Sequence, residues 1–282
     1  MKRIALINDM SGLGKCSLTA AIPVISVMGI QACPFPTAIL SAQTGFQEYI
    51  CHDFSDEMER YADSWERIGV YFDGIYSGYL ADISQIEKVL YFLRKFRKED
   101  TLYLVDPVMG DRGDYYPMFH DEFRKKMKEL TSKADVLTPN LTELCLLAEE
   151  DYGKLISGCC EEKYLEKIQA ICKKLLKESD RQQTIIVTGI LRKEDGIEYM
   201  GNMAVSEKEN YYIEKKYTGK GFSGTGDLFA SVICGSLIKG ESTQQAIEKA
   251  VYFLQDAILE ATEEGIDSVQ GVMFEKYLSR LL

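Results

Sequence analysis

Between Gly221 and Ser231 the chain reads GFSGTGDLFAS, which sets three glycines and one carboxylate at a point where a loop turns into a helix. Leu228, Phe229, Val232, Ile233 and Leu237 recur at helical spacing, so a helix is predicted to begin near Asp227 with its apolar stripe toward a core. Lys239 and Gly240 close it. Backbone N–H groups at a helix start, approached through residues without side chains, form a cradle for anionic oxygen. The same stretch also reads as an ordinary tight turn in which Asp227 caps its helix. The rest of the chain must decide between the two.

At 282 residues, the length suits one large α/β domain with a sizeable core. The formal net charge of −11, from 33 basic and 44 acidic side chains, argues against nucleic acid or a membrane surface as partner. No basic and apolar signal pattern follows Met1, and no apolar run approaches the roughly 18 residues of a membrane span, so a cytoplasmic location is expected. The eight cysteines contain no C-x-x-C pair and read as reduced thiols. Cys159 and Cys160 are adjacent, which raises a metal or redox pair, but no second pair or nearby histidine supports it. His52 and His120 stand in polar surroundings without a partner pattern and read as surface residues. Proton handling therefore falls to carboxylates.

The chain opens with a buried strand at Arg3 to Ile7, followed by Asn8, Asp9 and a turn through Gly12 to Gly14, then a helix from about Ser17 to Met28. Gly14-Lys15-Cys16-Ser17 invites comparison with a Walker A loop, but that motif needs glycine where Asp9 stands and serine or threonine where Cys16 stands. Gln31 to Ile39 is strand-like, and Pro34 and Pro36 suit an edge or irregular extended segment better than a central strand. A helix over Asp56 to Ile68 carries the only tryptophan, Trp65; a strand at Asp73 to Ser77 and an amphipathic helix from Ile83 to Phe96 come next. Thr101 to Val105 is an apolar strand running into Asp106. Helices are expected from about Met118 to Leu130 and Glu162 to Glu178, and short strands at Asp135 to Leu137 and Thr184 to Val187. Ile197 to Val205 and Tyr211 to Tyr217 alternate as a hairpin. Ser242 with Gln245 forms a capping-box pattern before the last helix.

Strands alternating with helices imply a mostly parallel sheet covered on both faces. No repeat, low-complexity tract or linker splits the chain. Asp9, Gly78-Tyr79, Asp106, Thr138 to Asn140 and Thr188 each fall just beyond the carboxyl end of a predicted strand. In open α/β sheets ligands bind at that edge, which favours a ligand role for these residues over simple turn formation.

Three motifs, Asp106-Pro-Val-Met-Gly-Asp111, Thr138-Pro-Asn-Leu-Thr-Glu143 and Gly224-Thr-Gly-Asp227, resemble the signatures of ribokinase-like kinases, specifically the pyridoxal kinase branch. The likeness spans nearly the whole chain, with Ile7-Asn8-Asp9, Phe35 to Ser41, Thr44-Gly45 and Ser77-Gly-Tyr79 similar to that branch's substrate side. It implies a single domain over residues 1–282, an α/β three-layer sandwich with a mostly parallel central sheet covered by helices on both faces. It implies ATP-dependent phosphorylation of the 5′-hydroxymethyl group of pyridoxal, pyridoxine or pyridoxamine.

By the same resemblance Asp227 is the base, its place at a helix start favouring the ionised form and a weak base. Gly224, Thr225 and Gly226 supply backbone N–H donors to the transferred group. Asp111 and Glu143 are hard oxygen ligands suited to Mg²⁺, directly or through its waters, and Asp106 stands beside them on the nucleotide side. Asn140 and Thr188 match positions near the nucleotide phosphates, with Lys215 and Lys220 as weaker cationic helpers. A monovalent cation is a further candidate cofactor. The segment from Asp111 to Pro117 is placed to cover the site. Thr44 and Tyr79 match positions that contact the pyridine ring, while Asp9 stands where many pyridoxal kinases have serine and Ala42-Gln43 where Asn-His is common. Asp9 could accept from the ring hydroxyl or pair with a protonated ring nitrogen. A homodimer is implied by the family alone. The alternatives are a hydroxymethylpyrimidine kinase of the same superfamily, whose base position is usually cysteine, and a nonenzymatic vitamer- or nucleotide-binding protein.

Overall fold

The computed structural model describes residues 1–116, 119–160 and 163–282. In chain order it runs β1 (Arg3–Ser11), α1 (Ser17–Val27), β2 (Gln31–Leu40), β3 (Cys51–Asp53), α2 (Ser55–Ile68), β4 (Gly74–Ser77), α3 (Ile83–Phe96) and β5 (Leu102–Val105). A small hairpin of β6 (Gly110–Asp111) and β7 (Asp114–Tyr115) follows, then α4 (Asp121–Ser132), β8 (Val136–Leu137), α5 (Leu141–Ala148), α6 (Tyr152–Ile156) and α7 (Tyr164–Leu176). The remainder is β9 (Thr184–Glu194), β10 (Ile197–Val205), β11 (Asn210–Lys216), α8 (Thr225–Lys239), α9 (Thr243–Glu263) and two 3-10 segments, Ser268–Gln270 and Phe274–Leu281. The expected starts at Met118 and Glu162 fall outside the described residues. Two compact units can be distinguished: Met1–Leu104 with Lys220–Leu282, and Val105–Gly219.

In the first unit β1 pairs in parallel with β2 on one side and β4 on the other. Ile4, Ala5, Leu6 and Ile7 are buried, as expected for a strand covered on both faces. β2 is longer than a pure edge: β3 pairs antiparallel with its last residues, Ala38 to Leu40. Along Gln31 to Thr37 its outer flank has no strand partner among the described residues, and that is where Pro34 and Pro36, which lack an N–H to donate, are tolerated. Phe35 points to a ring cluster built by α2 and α3, with Phe92 at 4.9 Å and Trp65 at 5.6 Å between centroids. Such edge-to-face pairs contribute about 0.5–1.5 kcal/mol each beyond their buried area. Gly74 lets α8 approach β4, since a Cβ there would lie 2.9 Å from Ile238.

In the second unit β8 pairs in parallel with β9, and β9, β10 and β11 form an antiparallel meander. The β10–β11 hairpin is the one expected from the alternation. β9 continues past Val187 to Glu194 because Asp195 and Gly196, at φ 48° and 78°, make the two-residue reversal that a tight hairpin needs. Although a place in the first turn of a helix is one reading of Glu143, the sequence sets no bounds for α5. Its start carries a capping box in which Asn140 and Glu143 bond each other's backbone N–H groups. Among the described residues no helix is long and apolar enough to cross a membrane.

Candidate functional site

In the first unit α8 is preceded by Gly224, which has φ 79° and brings no side-chain cap to the helix. The Thr225 hydroxyl turns back to donate to the Phe222 carbonyl at 3.0 Å, so what Thr225 offers forward is its backbone amide. The first-turn N–H groups of a helix have no intrahelical acceptor and suit an anion. Asp227 stands in that turn, half-buried, with Asn8 Nδ2 donating to its Oδ1 at 3.2 Å.

Burial pushes the Asp227 carboxyl up to about 6. The charge on Asp9 adds to the rise, while the Ser17 amide and the Asn8 and Tyr76 side chains hold it down. The helix start was expected to keep Asp227 ionised and weakly basic; desolvation outweighs it here and leaves a stronger base. Cys16, beside the same two carboxylates, is pushed up to about 12 by burial and by Asp227 and Asp9, so its thiol stays neutral.

Asp9 is buried, and its two oxygens accept from Ser17 Oγ at 2.6 Å and Ser11 Oγ at 3.0 Å. Burial raises its carboxyl above the usual range against these bonds. Ser17 holds a left-handed φ of 51°, a conformation that costs about 1–3 kcal/mol in a non-glycine residue. That strain is offset by contacts of Ser17 with both acids: its hydroxyl serves Asp9 and its amide faces Asp227. Tyr79 is half-buried beside Asp9, Tyr49, Cys51 and Asp82. Burial first, then these neighbours, raise its phenol.

Thr44 is exposed on the loop after β2. Gln43 fixes that loop, accepting from the Gly45 amide at 2.8 Å and donating to the Val269 carbonyl at 2.9 Å. Two lysines near the loops are already engaged: Lys15 pairs with Glu275 at 2.7 Å, and Lys220 donates to the Ile266 carbonyl over the Phe222 ring.

The second unit gathers the other expected residues. Glu143 is buried, and its oxygens accept the Asn140 amide at 2.8 Å and the Met109 amide at 3.2 Å. Burial pushes its carboxyl well above the ordinary range, and the charges of Asp106 and Asp111 add to this. Asn140 also donates through Nδ2 to the Gly110 carbonyl at 2.8 Å and bridges to Thr188 in parallel register. Asp106 is buried just past β5, while the Asp111 side chain is 55% exposed with Arg112 Nε at 3.7 Å. The expected cover from Asp111 is, over its described part, the β6–β7 hairpin, pinned where the Gly113 amide donates to Thr142 Oγ1 at 2.9 Å. Pro117 lies outside the described residues.

Each unit thus brings its share of the expected residues together: Asp9, Tyr79 and Asp227 in the first, Asp106, Asp111, Asn140, Glu143 and Thr188 in the second. Sequence reasoning missed the contacts of Ser17 and Tyr76, and gave Asn8 and Gln43 no role beyond their place in the motifs. Asn8 was legible as a polar residue at the end of a buried strand; the strained backbone of Ser17 carries no sequence signal.

The chain matches a family model described as phosphomethylpyrimidine kinase over residues 16–271. A solved structure of a putative phosphomethylpyrimidine kinase from Bacteroides thetaiotaomicron, in a form with pyridoxal, is 36% identical, with a TM-score of 0.90 over 99% of this chain and 95% of that one. Pyridoxal kinase from Lactobacillus plantarum is 25% identical, with a TM-score of 0.87 over 100% and 97%. A hydroxymethylpyrimidine/phosphomethylpyrimidine kinase of Staphylococcus aureus is 30% identical over 68% of this chain and 64% of its own length. The expected α/β class, a mostly parallel sheet flanked by helices, is common to these folds, and the motif resemblance to ribokinase-like pyridoxal kinases is borne out. The chain belongs to the phosphomethylpyrimidine kinase family.

Proposed function

We propose that residues 1–282 serve one activity, transfer of the γ-phosphoryl group of ATP to the 5′-hydroxymethyl group of pyridoxal, pyridoxine or pyridoxamine. The observation that carries this reading is Asp227, a carboxylate held by Asn8 in the first turn of α8 behind the glycine-lined amides of Gly224 to Gly226, with its carboxyl raised to about 6. A base in that range is ionised near neutrality and still accepts a proton as the hydroxyl attacks. The hydroxyl oxygen bonds to the γ-phosphorus, the bond from that phosphorus to the bridging oxygen breaks, ADP leaves, and the proton goes to Asp227. The amides of Thr225 and Gly226 meet the charge on the transferred group. Asp9, Tyr79 and Thr44 receive the ring. The relative with pyridoxal, at 36% identity, supports this choice of substrate class.

Asn140 and Thr188 are assigned to the nucleotide phosphates, with Asp106 beside them. Magnesium fits Asp111 and Glu143 chiefly through its waters, because both Glu143 oxygens already accept backbone amides and Asp111 is open to solvent. Among the described residues no group of three or more His, Cys, Asp or Glu side chains could hold a metal by itself, which suits an ion carried largely by the nucleotide. Bound there, Mg²⁺ would neutralise phosphate charge. A monovalent cation, a homodimer and a cytoplasmic location belong to the same reading; a solution mass tests the dimer.

The second reading, a hydroxymethylpyrimidine kinase, is favoured by the family description and the Staphylococcus aureus relative. Asp227, where that branch usually carries cysteine, weighs against it. ATP consumption by the purified protein with pyridoxal, pyridoxine, pyridoxamine and hydroxymethylpyrimidine separates the two. Turnover on the pyrimidine alone overturns the first reading, and binding without turnover on any substrate points to a nonenzymatic role.

A further inference from the structure

Asn8 is buried within β1, three residues before its last, and makes three contacts with one planar amide. Its Oδ1 accepts the backbone N–H groups of Asp9 and Tyr79, each at 3.0 Å, and its Nδ2 donates to Asp227 Oδ1 at 3.2 Å. The partners fix the amide's orientation: reversed, it would set NH₂ against two N–H groups and oxygen against a carboxylate. Gly78 leaves the space for it. A Cβ at Gly78 would lie 2.4 Å from Asn8 Nδ2 and 2.9 Å from its Cγ.

We infer that Asn8 is a positioning residue that ties the ring-binding side of the pocket, at Asp9 and Tyr79, to the base Asp227, and that Gly78 is glycine to make room for it. The inference rests on the proposed vitamer kinase reading for its kinetic meaning, not for its geometry. A rigid amide shared by a strand N–H, a loop N–H and a carboxylate aims the base only when Asp9 and Tyr79 are seated. Asp227 is also faced by Asp9 from β1, Cys16 ahead of α1, the Ser17 amide at the start of α1 and Tyr76 from β4. Asp9 opposes ionisation of Asp227; Asn8, Ser17 and Tyr76 favour it.

Two variants separate the contributions. Asn8→Asp keeps an oxygen for the two amides and removes the donor to Asp227; Gly78→Ala keeps Asn8 and displaces it. A ¹³C NMR titration of aspartate-labelled, substrate-free protein, with Asp227→Asn to assign the resonance, reads the Asp227 midpoint directly. The midpoint is expected to rise above its wild-type value in both variants. In kinetics with a B6 vitamer, kcat should fall about 10- to 100-fold, the loss expected for a hydrogen bond to a charged group. Its acid limb should move up with the NMR midpoint, and KM should stay within about threefold in Asn8→Asp but rise in Gly78→Ala. An Asp227 midpoint unmoved in both folded variants overturns the inference, as does a fall in kcat with the acid limb unshifted. If the wild type turns over no vitamer, the kinase reading fails, and the NMR midpoint still decides the role of Asn8.

Discussion

Gly224 lies so close to the backbone of Lys15 that a Cβ on it would stand 1.8 Å from the Lys15 carbonyl oxygen. Gly271 presses on the same residue, with its Cβ position 3.0 Å from Lys15 Cβ and 3.1 Å from the Ser223 carbonyl. The loop before α1 and the start of α8 are therefore set by one backbone contact. Gly224→Ala combines this overlap with a left-handed φ, so the helix start must move. Turnover is expected to fall at least about 100-fold, as a misplacement near 1 Å does, with a lower melting temperature. Steady-state kinetics and calorimetry check both.

Asp227→Ala should lower turnover by about 10²- to 10⁴-fold while ATP still binds. Equilibrium ATP binding beside single-turnover phosphorylation tests this, and activity retained within a few-fold would remove Asp227 from the role of base.

In the wild type, kcat should fall as pH drops through about 6, where the raised Asp227 carboxyl takes up its proton and can no longer accept one. The acid limb should approach tenfold per pH unit. A limb near 4, the ordinary aspartate range, would contradict the burial effect.

The same raised carboxyl has the opposite sign for stability. Between the ordinary aspartate value of 3.8 and about 6 the native state binds more protons at Asp227 than the unfolded chain, so stability falls as pH rises through that window. Asp227→Asn removes the penalty and should stabilise the protein by about 1–3 kcal/mol above pH 6, with little gain near pH 4. Denaturant unfolding at the two pH values measures the difference.

Glu143→Ala should destabilise the protein by about 1–3 kcal/mol, because it leaves the half-buried amide of Asn140 and the buried amide of Met109 without acceptors and breaks the α5 capping box. Glu143→Gln keeps an oxygen for one of the amides and should cost less. Thermal melts of the two variants rank them.

Much of this was legible in the sequence because it rests on local pattern. The stripe from Leu228 to Leu237 marks α8, Ser242 with Gln245 caps α9 as expected, and the β10–β11 hairpin follows from alternation. The extent of α5 was not legible although Asn140 and Glu143 display a capping box, since only a few residues separate it from β8 and its apolar run shows little periodicity. β9 was read short because the reversal at Asp195-Gly196 lies beyond a glycine, Gly189, that looked like a strand end. The site residues named from motifs fall into two clusters, but their settings depend on distant chain. Asn8 meets Asp227 across 219 positions, and Gln43 meets Val269 across 226. The basicity of Asp227 was misjudged for the same reason, since desolvation and the Asp9 charge come from tertiary packing and the helix start from sequence.

Trp65 is the only tryptophan in the chain, and it sits among Phe35, Tyr61 and Phe72 with ring centroids 5.6, 5.1 and 5.3 Å away. All four rings belong to the first unit. Intrinsic fluorescence excited at the indole band therefore watches the unit that carries Asp9, Tyr79 and Asp227, while Val105–Gly219 contributes no indole emission. An unfolding curve followed by that emission and one followed by far-ultraviolet ellipticity sample different parts of the molecule. Their coincidence or separation reports whether the two units melt as one cooperative body, with no label introduced.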